Sequence, residues 1–264
     1  MGCTIGAKVT KRGEEYFLFK NKDLPWLDFE DRILVEPTRF GVLGVHLPKG
    51  LSLAAPRLLS GFSIGVNSAG VAACNSHVTS VADALNYDDL TEAAVTGTRS
   101  VAEAIAQVRE LACQESYNWA NIIVADPEAV AVIEIGADVV HAAGLAEVAR
   151  ANAHLLSHGG AARAAPDARC TRAAQGVAKA RGLADFRALL GSHEDREQHG
   201  NICTHGRYRQ GYTVYSYVIH WRSGCPTFHV CRGNPCENEY IAVPVCGGAA
   251  ADDVARLYPS SAPV

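Results

Sequence analysis

Over the first eighty positions apolar residues come in short blocks with the spacing of strands. Residues 3–9 and 16–19 are two apolar runs broken by Lys11-Arg12-Gly13, which reads as a turn. Residues 61–66 and 70–73 form a second pair around Asn67-Ser68-Ala69-Gly70, a hairpin composition. The period turns helical at 100–113, where Val101, Ile105, Val108 and Leu111 make one stripe and Thr98 or Ser100 is a candidate N-cap. A buried strand is expected at 121–126, followed across Pro127-Glu128 by another at 130–135. Residues 161–193 are rich in Ala, Arg and Leu and predict two helices divided near Arg181-Gly182. Strands return at 212–221, 227–231 and 240–245, with Gly224, Pro226, Gly233 and Pro235 in the turns, and a short helix is expected at 252–257. Strands, then helices, then strands joined by hairpin turns predict an α+β protein with mostly antiparallel sheets. No repeat or linker interrupts the pattern, so residues 1–264 read as one domain.

Composition narrows the classes. Of 264 residues, 48% are hydrophobic and 20% charged, the balance of an ordinary globular chain. No uncharged apolar stretch is long enough to span a bilayer as a helix. A formal net charge of −4 argues against a nucleic-acid partner. The nine cysteines are odd in number, and Met1-Gly2-Cys3-Thr4 has neither a basic nor an apolar leader region, so reduced thiols in a cytoplasm are expected. Gly6 stands where N-myristoylation needs Ser or Thr.

Position makes Cys3 the first candidate for chemistry. A cysteine at the start of a chain can carry a free α-amine beside its own thiol. That amine has a reference pKa of about 7.7–8.0, a workable general base near neutral pH, so one residue supplies both nucleophile and base. This requires removal of Met1 and Gly2, the latter by attack of the Cys3 thiol on the preceding carbonyl. The competing reading is a small hydrophobe in the first strand.

The surroundings of Cys3 resemble a known family. Gly2-Cys3-Thr4 looks like a Gly-Cys-Thr processing site, and Lys20-Asn21-Lys22-Asp23 looks like an Arg-Asn-x-Asp segment. Gly65-Val66-Asn67-Ser68-Ala69-Gly70-Val71-Ala72 with Asn75-Ser76-His77-Val78 looks like a Gly-x-Asn-x-x-Gly hairpin and the Asn-containing segment after it. Asn121 to Asp126, then Glu134, resembles an Asp-turn-Glu strand pair. Ala151-Asn152-Ala153-His154 resembles a Thr-Asn-His segment, with Ala151 replacing Thr and Ala153 interposed. Ile202-Cys203-Thr204-His205 and Gly233-Asn234-Pro235-Cys236 resemble Ile-Cys-x-His and Gly-x-Pro-Cys. Together, over residues 2 to about 245, these are similar to the N-terminal-nucleophile hydrolases of the penicillin acyltransferase (C45 peptidase) type, and more distantly to choloylglycine hydrolases.

The resemblance implies a four-layer αββα sandwich of two antiparallel sheets, self-cleavage before Cys3, and amide hydrolysis or acyl transfer through an acyl-enzyme, in a setting such as secondary metabolism. It implies Cys3 as nucleophile, Asn152 as an oxyanion donor, and Asp23 as the group holding the α-amine or a polar part of the substrate. Lys20, Asn21, Asn67, Asn75 and His205 would contact the substrate, Lys20 standing where choloylglycine hydrolases use Arg. The implied partners are a small-molecule amide or thioester donor, an acyl carrier protein among the thioesters, and water or an amine as acceptor.

Each residue has a plainer alternative. Asn152 could be a turn residue, Asp23 a solvated carboxylate beside Lys20 and Lys22, and His205 a satisfied interior histidine. Arg163, Arg169 and Arg172 read as a solvated helix face. Cys203 and His205 could bind a metal with Cys225, Cys231, Cys236 and Cys246. The gaps of five, four and nine residues between those four cysteines contain no C-x-x-C, so buried strand cysteines are expected, with no metal and no cofactor. The alternatives at the level of function are a silent protein of the same fold and a cysteine-rich metal-binding module.

Overall fold

The computed structural model describes residues 2–24, 29–46, 57–58, 60–79, 84–156, 167–193, 200–206 and 211–245. The chain opens with β1 (Thr4–Lys11), β2 (Glu15–Leu24), β3 (Phe29–Val35), β4 (Arg39–His46), β5 (Arg57–Leu58), β6 (Ile64–Asn67) and β7 (Ala72–His77). Helices α1 (Asp88–Val95) and α2 (Val101–Gln114) follow, then β8 (Ala120–Ala125), β9 (Val130–Ile135), β10 (Val139–Leu145) and β11 (Glu147–Arg150). Helices α3 (Ala168–Lys179) and α4 (Leu183–Leu190) lead to β12 (Tyr212–Arg222), β13 (Cys225–Arg232) and β14 (Ile241–Pro244).

The strands form two sheets, ordered β11-β1-β2-β12-β13-β14 and β10-β9-β8-β7-β6-β4-β3, with β5 on the flank of β4. Every pairing between named strands is antiparallel. Side-chain alternation then sorts the core into three seams. Ile5, Leu18, Ile123, Val132 and Tyr217 pack between the sheets. Ile122, Val124 and Ile133 pack outward under Leu90 of α1 and Val108 of α2. Phe17, Phe19 and Val218 pack outward under Val177 of α3 and Phe186 of α4. The Phe17 and Phe186 rings stack at 4.6 Å. Sheets covered on both faces explain why Ala120–Ala125 is an unbroken buried run and not a polar–apolar alternation. The layer order is α–β–β–α, the expected sandwich.

Several local expectations hold. Ser100 caps α2 by accepting from Glu103 N, α3 and α4 break at Gly182, and Gly70 takes the positive φ of the predicted turn at +87°. Strands β3, β4, β10 and β11 and helix α1 were not expected from the pattern. β3 carries Glu30, Asp31 and Arg32, β10 is half exposed, and α1 has eight residues and no side-chain cap. Residues 161–166 and the expected helix at 252–257 lie outside the described residues. No helix among the described residues is long and apolar enough to cross a membrane. The thiols are not uniformly reduced. Cys3, Cys74, Cys113, Cys170, Cys203, Cys231 and Cys236 are free, whereas Cys225 is disulfide-bonded.

Candidate active site

Cys3 is half-buried and sits one residue ahead of β1. Thr4 pairs with Asn21, which brings Cys3 alongside the Lys22–Asp23 end of β2. Gly2 is buried against the guanidinium of Arg169, so closely that a Cβ on Gly2 would lie 2.1 Å from Arg169 Nη1. Only glycine fits while Arg169 stays in place, and two partners, buried Asp23 and half-buried Asn152, hold it there. Arg169 Nη1 donates to Asp23 Oδ2 at 3.3 Å, and Nη2 donates to Asn152 Oδ1. The side chain is 11% exposed. This corrects the expectation of a solvated arginine face: Arg169 turns inward and joins two of the residues singled out around Cys3. A cation in the first turn of a helix opposes the helix dipole; with Asp167 as N-cap, that misplacement was the signal in the sequence.

Asp23 is buried on the α3 side of its sheet and accepts from Thr213 Oγ1 at 2.8 Å. Burial drives its pKa up from 3.8 to about 7, against the opposing pull of Arg169 and of hydrogen bonds from Thr213 and Thr204. It is therefore not the solvated carboxylate that a Lys-flanked Asp suggests. Because the folded pKa is raised, the folded chain holds this proton more tightly than the unfolded chain. The resulting stability is fully present below about pH 3.8 and is lost as pH rises through about 7. In urea unfolding, wild type should lose stability relative to Asp23→Asn by about 1.4 kcal/mol per pH unit across that window. A pH-independent difference between the two would show that Asp23 titrates normally.

Asn152 lies in a loop held from several sides. Glu134 of β9, fully buried, accepts from Leu155 N at 2.7 Å and Leu156 N at 3.0 Å, with Arg150 Nε 3.4 Å away. Asn121 Nδ2 donates to Ala151 O at 3.0 Å and Ala153 O at 3.3 Å, and Ser76 Oγ donates to Ala151 O. His154 stacks on Trp119 at 6.0 Å and sets its Nε2 3.2 Å from Ala120 O. Buried polar groups on β7, β8 and β9 thus fix the loop from beneath. Asn152 Nδ2 donates to His77 O at 2.6 Å. Neither Arg169 nor the Ser76–Asn121–Glu134 support was identified from the sequence.

The remaining residues fall into separate places. Lys20 is buried between the sheets and donates to Asn75 Oδ1 at 2.8 Å and Ser63 O at 3.2 Å. Asn75 Nδ2 in turn donates to Phe62 O, Asp88 Oδ1 and Thr91 Oγ1. Asn21 points to the opposite face, donating to Leu190 O and Ile202 O, both at 2.9 Å. Asn67 organises its own turn: Nδ2 donates to Val95 O and Thr98 O, and Oδ1 accepts from Ala69 N and Val71 N. That turn lies near Tyr16, whose hydroxyl donates to Gly70 O and which pairs with Val9. Cys3 and Val9 are six residues apart, about 20 Å along a strand, so the structure does not bring Asn67 to Cys3. His205 sits beside Cys203 and Cys236. Lys22 pairs with buried Asp31, which also accepts from Tyr217 Oη.

No protein-family model matches the chain, and no curated protein matches it. Solved structures do. A Cys-to-Ala mutant of conjugated bile acid hydrolase from Clostridium perfringens superposes with a TM-score of 0.55 at 10% identity, over 96% of this chain and 94% of that one. An Arg-to-Leu variant of the same hydrolase gives 0.53 at 10% identity, over 95% and 94%. A penicillin V acylase from Agrobacterium tumefaciens aligns at 0.41 and 12% identity, over 87% and 82%. At such identities the likeness is one of fold. Two antiparallel sheets between two helical layers, matched over nearly the full length of both chains, give this protein the αββα fold of the N-terminal-nucleophile hydrolases.

Proposed function

We propose that this protein is an amidohydrolase that uses Cys3 as its nucleophile after loss of Met1 and Gly2. The observation that carries the reading is Arg169, which lies against Gly2, the residue immediately before Cys3, and bonds both Asp23 and Asn152. In maturation the Cys3 thiol attacks the Gly2 carbonyl, the acyl group passes from nitrogen to sulfur, and water hydrolyses the thioester, leaving a free Cys3 amine. Departure of Gly2 vacates the space against Arg169. Asp23 then orients the freed amine, which acts as the base in its neutral form.

In turnover the α-amine takes the thiol proton as Sγ attacks the substrate carbonyl. Oxyanion charge then falls on the second hydrogen of Asn152 Nδ2, oriented by Arg169 and His77 O. The amine of the substrate leaves with the proton, and water, deprotonated by the same α-amine, releases the acid from the thioester. An amine in place of water gives acyl transfer by the same route. The donor is a small-molecule amide or thioester, and a panel of bile-acid-like, aryl-acetyl and short aminoacyl amides covers the range of acyl groups.

Intact-mass measurement tests the proposal. Purified protein should lack Met1 and Gly2, and an acyl-donating electrophile should add one acyl mass to its N-terminal peptide. Turnover by protein that still carries Gly2 would exclude the α-amine as base. Processed protein that neither labels nor hydrolyses any panel member would favour a silent protein of this fold.

A further inference from the structure

Three segments outside the Cys3 site converge at the end of α4: residues 191–193, 201–206 and the 234–237 turn. Cys203 N donates to Ser192 O at 3.1 Å, and Gly191 packs against the backbone of Cys236. Where they meet, Cys203 Sγ is 3.5 Å from Cys236 Sγ. His205 Nε2 is 3.7 Å from Cys203 Sγ and 3.3 Å from Cys236 Sγ. One ligand atom each from His193, His205 and Cys236 lies within 4.8 Å of the others. We propose that Cys203, His205 and Cys236 form a structural zinc site, with His193, on the His205–Cys236 side, as the candidate for its fourth ligand.

The geometry carries this. Four-coordinate zinc with Zn–S of about 2.3 Å and Zn–N of about 2.1 Å has edges of roughly 3.8 Å between two sulfurs and 3.6 Å between sulfur and nitrogen. The three observed separations lie within a few tenths of an ångström of those edges. The surroundings are also those of a metal site. His205 presents Nε2 to the sulfurs, while Nδ1 lies on the side of the Glu237 carboxylate, 4.0 Å from Oε1. Asn234 Nδ2 donates to Cys203 Sγ at 3.3 Å and to Thr204 O at 2.6 Å, offering an amide hydrogen to a thiolate. Two thiolates balance the charge of a divalent cation. The C-x-H spacing of Cys203 and His205 is not a standard knuckle, and His193 lies twelve residues before and Cys236 thirty-one after His205, which is why the sequence discouraged a metal.

The site would cross-link segments that have little regular structure of their own. Thr204, between two of the ligands, donates its backbone N–H to Thr213 Oγ1, and Thr213 bonds Asp23. The metal therefore steadies the support of Asp23 without touching Cys3.

Full-length reduced protein is stripped of metal, then titrated with Co²⁺ and, in competition with a chromophoric chelator, with Zn²⁺. One equivalent of Co²⁺ per chain should produce a thiolate-to-cobalt charge-transfer band that one equivalent of Zn²⁺ bleaches. The band should be lost in Cys236→Ser, a change at an exposed position, and His205→Ala should weaken zinc at least tenfold. Zinc should raise the melting temperature of wild type and not of Cys236→Ser. A stoichiometric titration of wild type with no thiolate band, or zinc affinity unchanged in Cys203→Ser/Cys236→Ser, overturns the proposal. So does isolation of a Cys203–Cys236 disulfide whose reduction yields no metal binding.

Discussion

Cys3→Ala protein should fold, keep its N-terminal glycine, and hydrolyse no amide that wild type hydrolyses. Removing a half-buried sulfur ahead of the first strand costs about 1 kcal/mol or less, since the interior seams built on Ile5, Leu18 and Phe19 are untouched. Removing a nucleophile costs on the order of 10⁴-fold or more in turnover, and here the same sulfur performs the maturation step. Both readouts should therefore fail together: intact mass should retain Gly2, and the electrophile should leave the N-terminal peptide unlabelled. Cys3→Ser separates the two roles, because a hydroxyl can still shift the acyl group, slowly, and expose the amine. Hydrolysis at wild-type rates by Cys3→Ala would remove Cys3 from the mechanism.

Asn152→Ala should lower kcat by a hundredfold or more while leaving KM near wild type, since an oxyanion donor binds charge that develops only in the transition state. Arg169 gives this prediction a second arm. Its guanidinium bridges Asn152 and Asp23, so Arg169→Ala both loosens Asn152 and leaves a buried carboxylate without its cation. The double variant Asn152→Ala/Arg169→Ala should then lose much less than the product of the single losses, because both act partly through one amide. Arg169→Lys should not restore activity, as an ammonium cannot bridge two acceptors with the fixed fork of a guanidinium. Strictly multiplicative losses would show that Arg169 acts elsewhere, and normal turnover by Asn152→Ala would assign the oxyanion to another donor.

The cores of β1 and β2, and the β6–β7 hairpin, were legible in the sequence because their apolar runs are compact and their turns are marked by Gly13 and Gly70. The helical stripe of α2 was legible for the same reason. What stayed hidden depends on pairing across long sequence separations. β3 reads as charged because Asp31 is buried against Lys22 of a strand in the other sheet. Arg169 reads as surface until the fold brings it to Asp23. Asn67 and Asn75 belong to motifs that resemble a known family, yet their amides are occupied in holding a turn and a strand–helix junction. A polar residue in a motif can thus mark the skeleton as readily as the pocket, and only its bonding partners separate the two.

The contact between Gly2 and Arg169 couples position 2 to a helix more than 160 residues further along the chain. A bulkier residue at position 2 would displace the guanidinium, and with it both of the groups it joins, for as long as that residue stayed attached. Substitution at position 2 should therefore slow maturation more than it slows turnover by chains already cleaved.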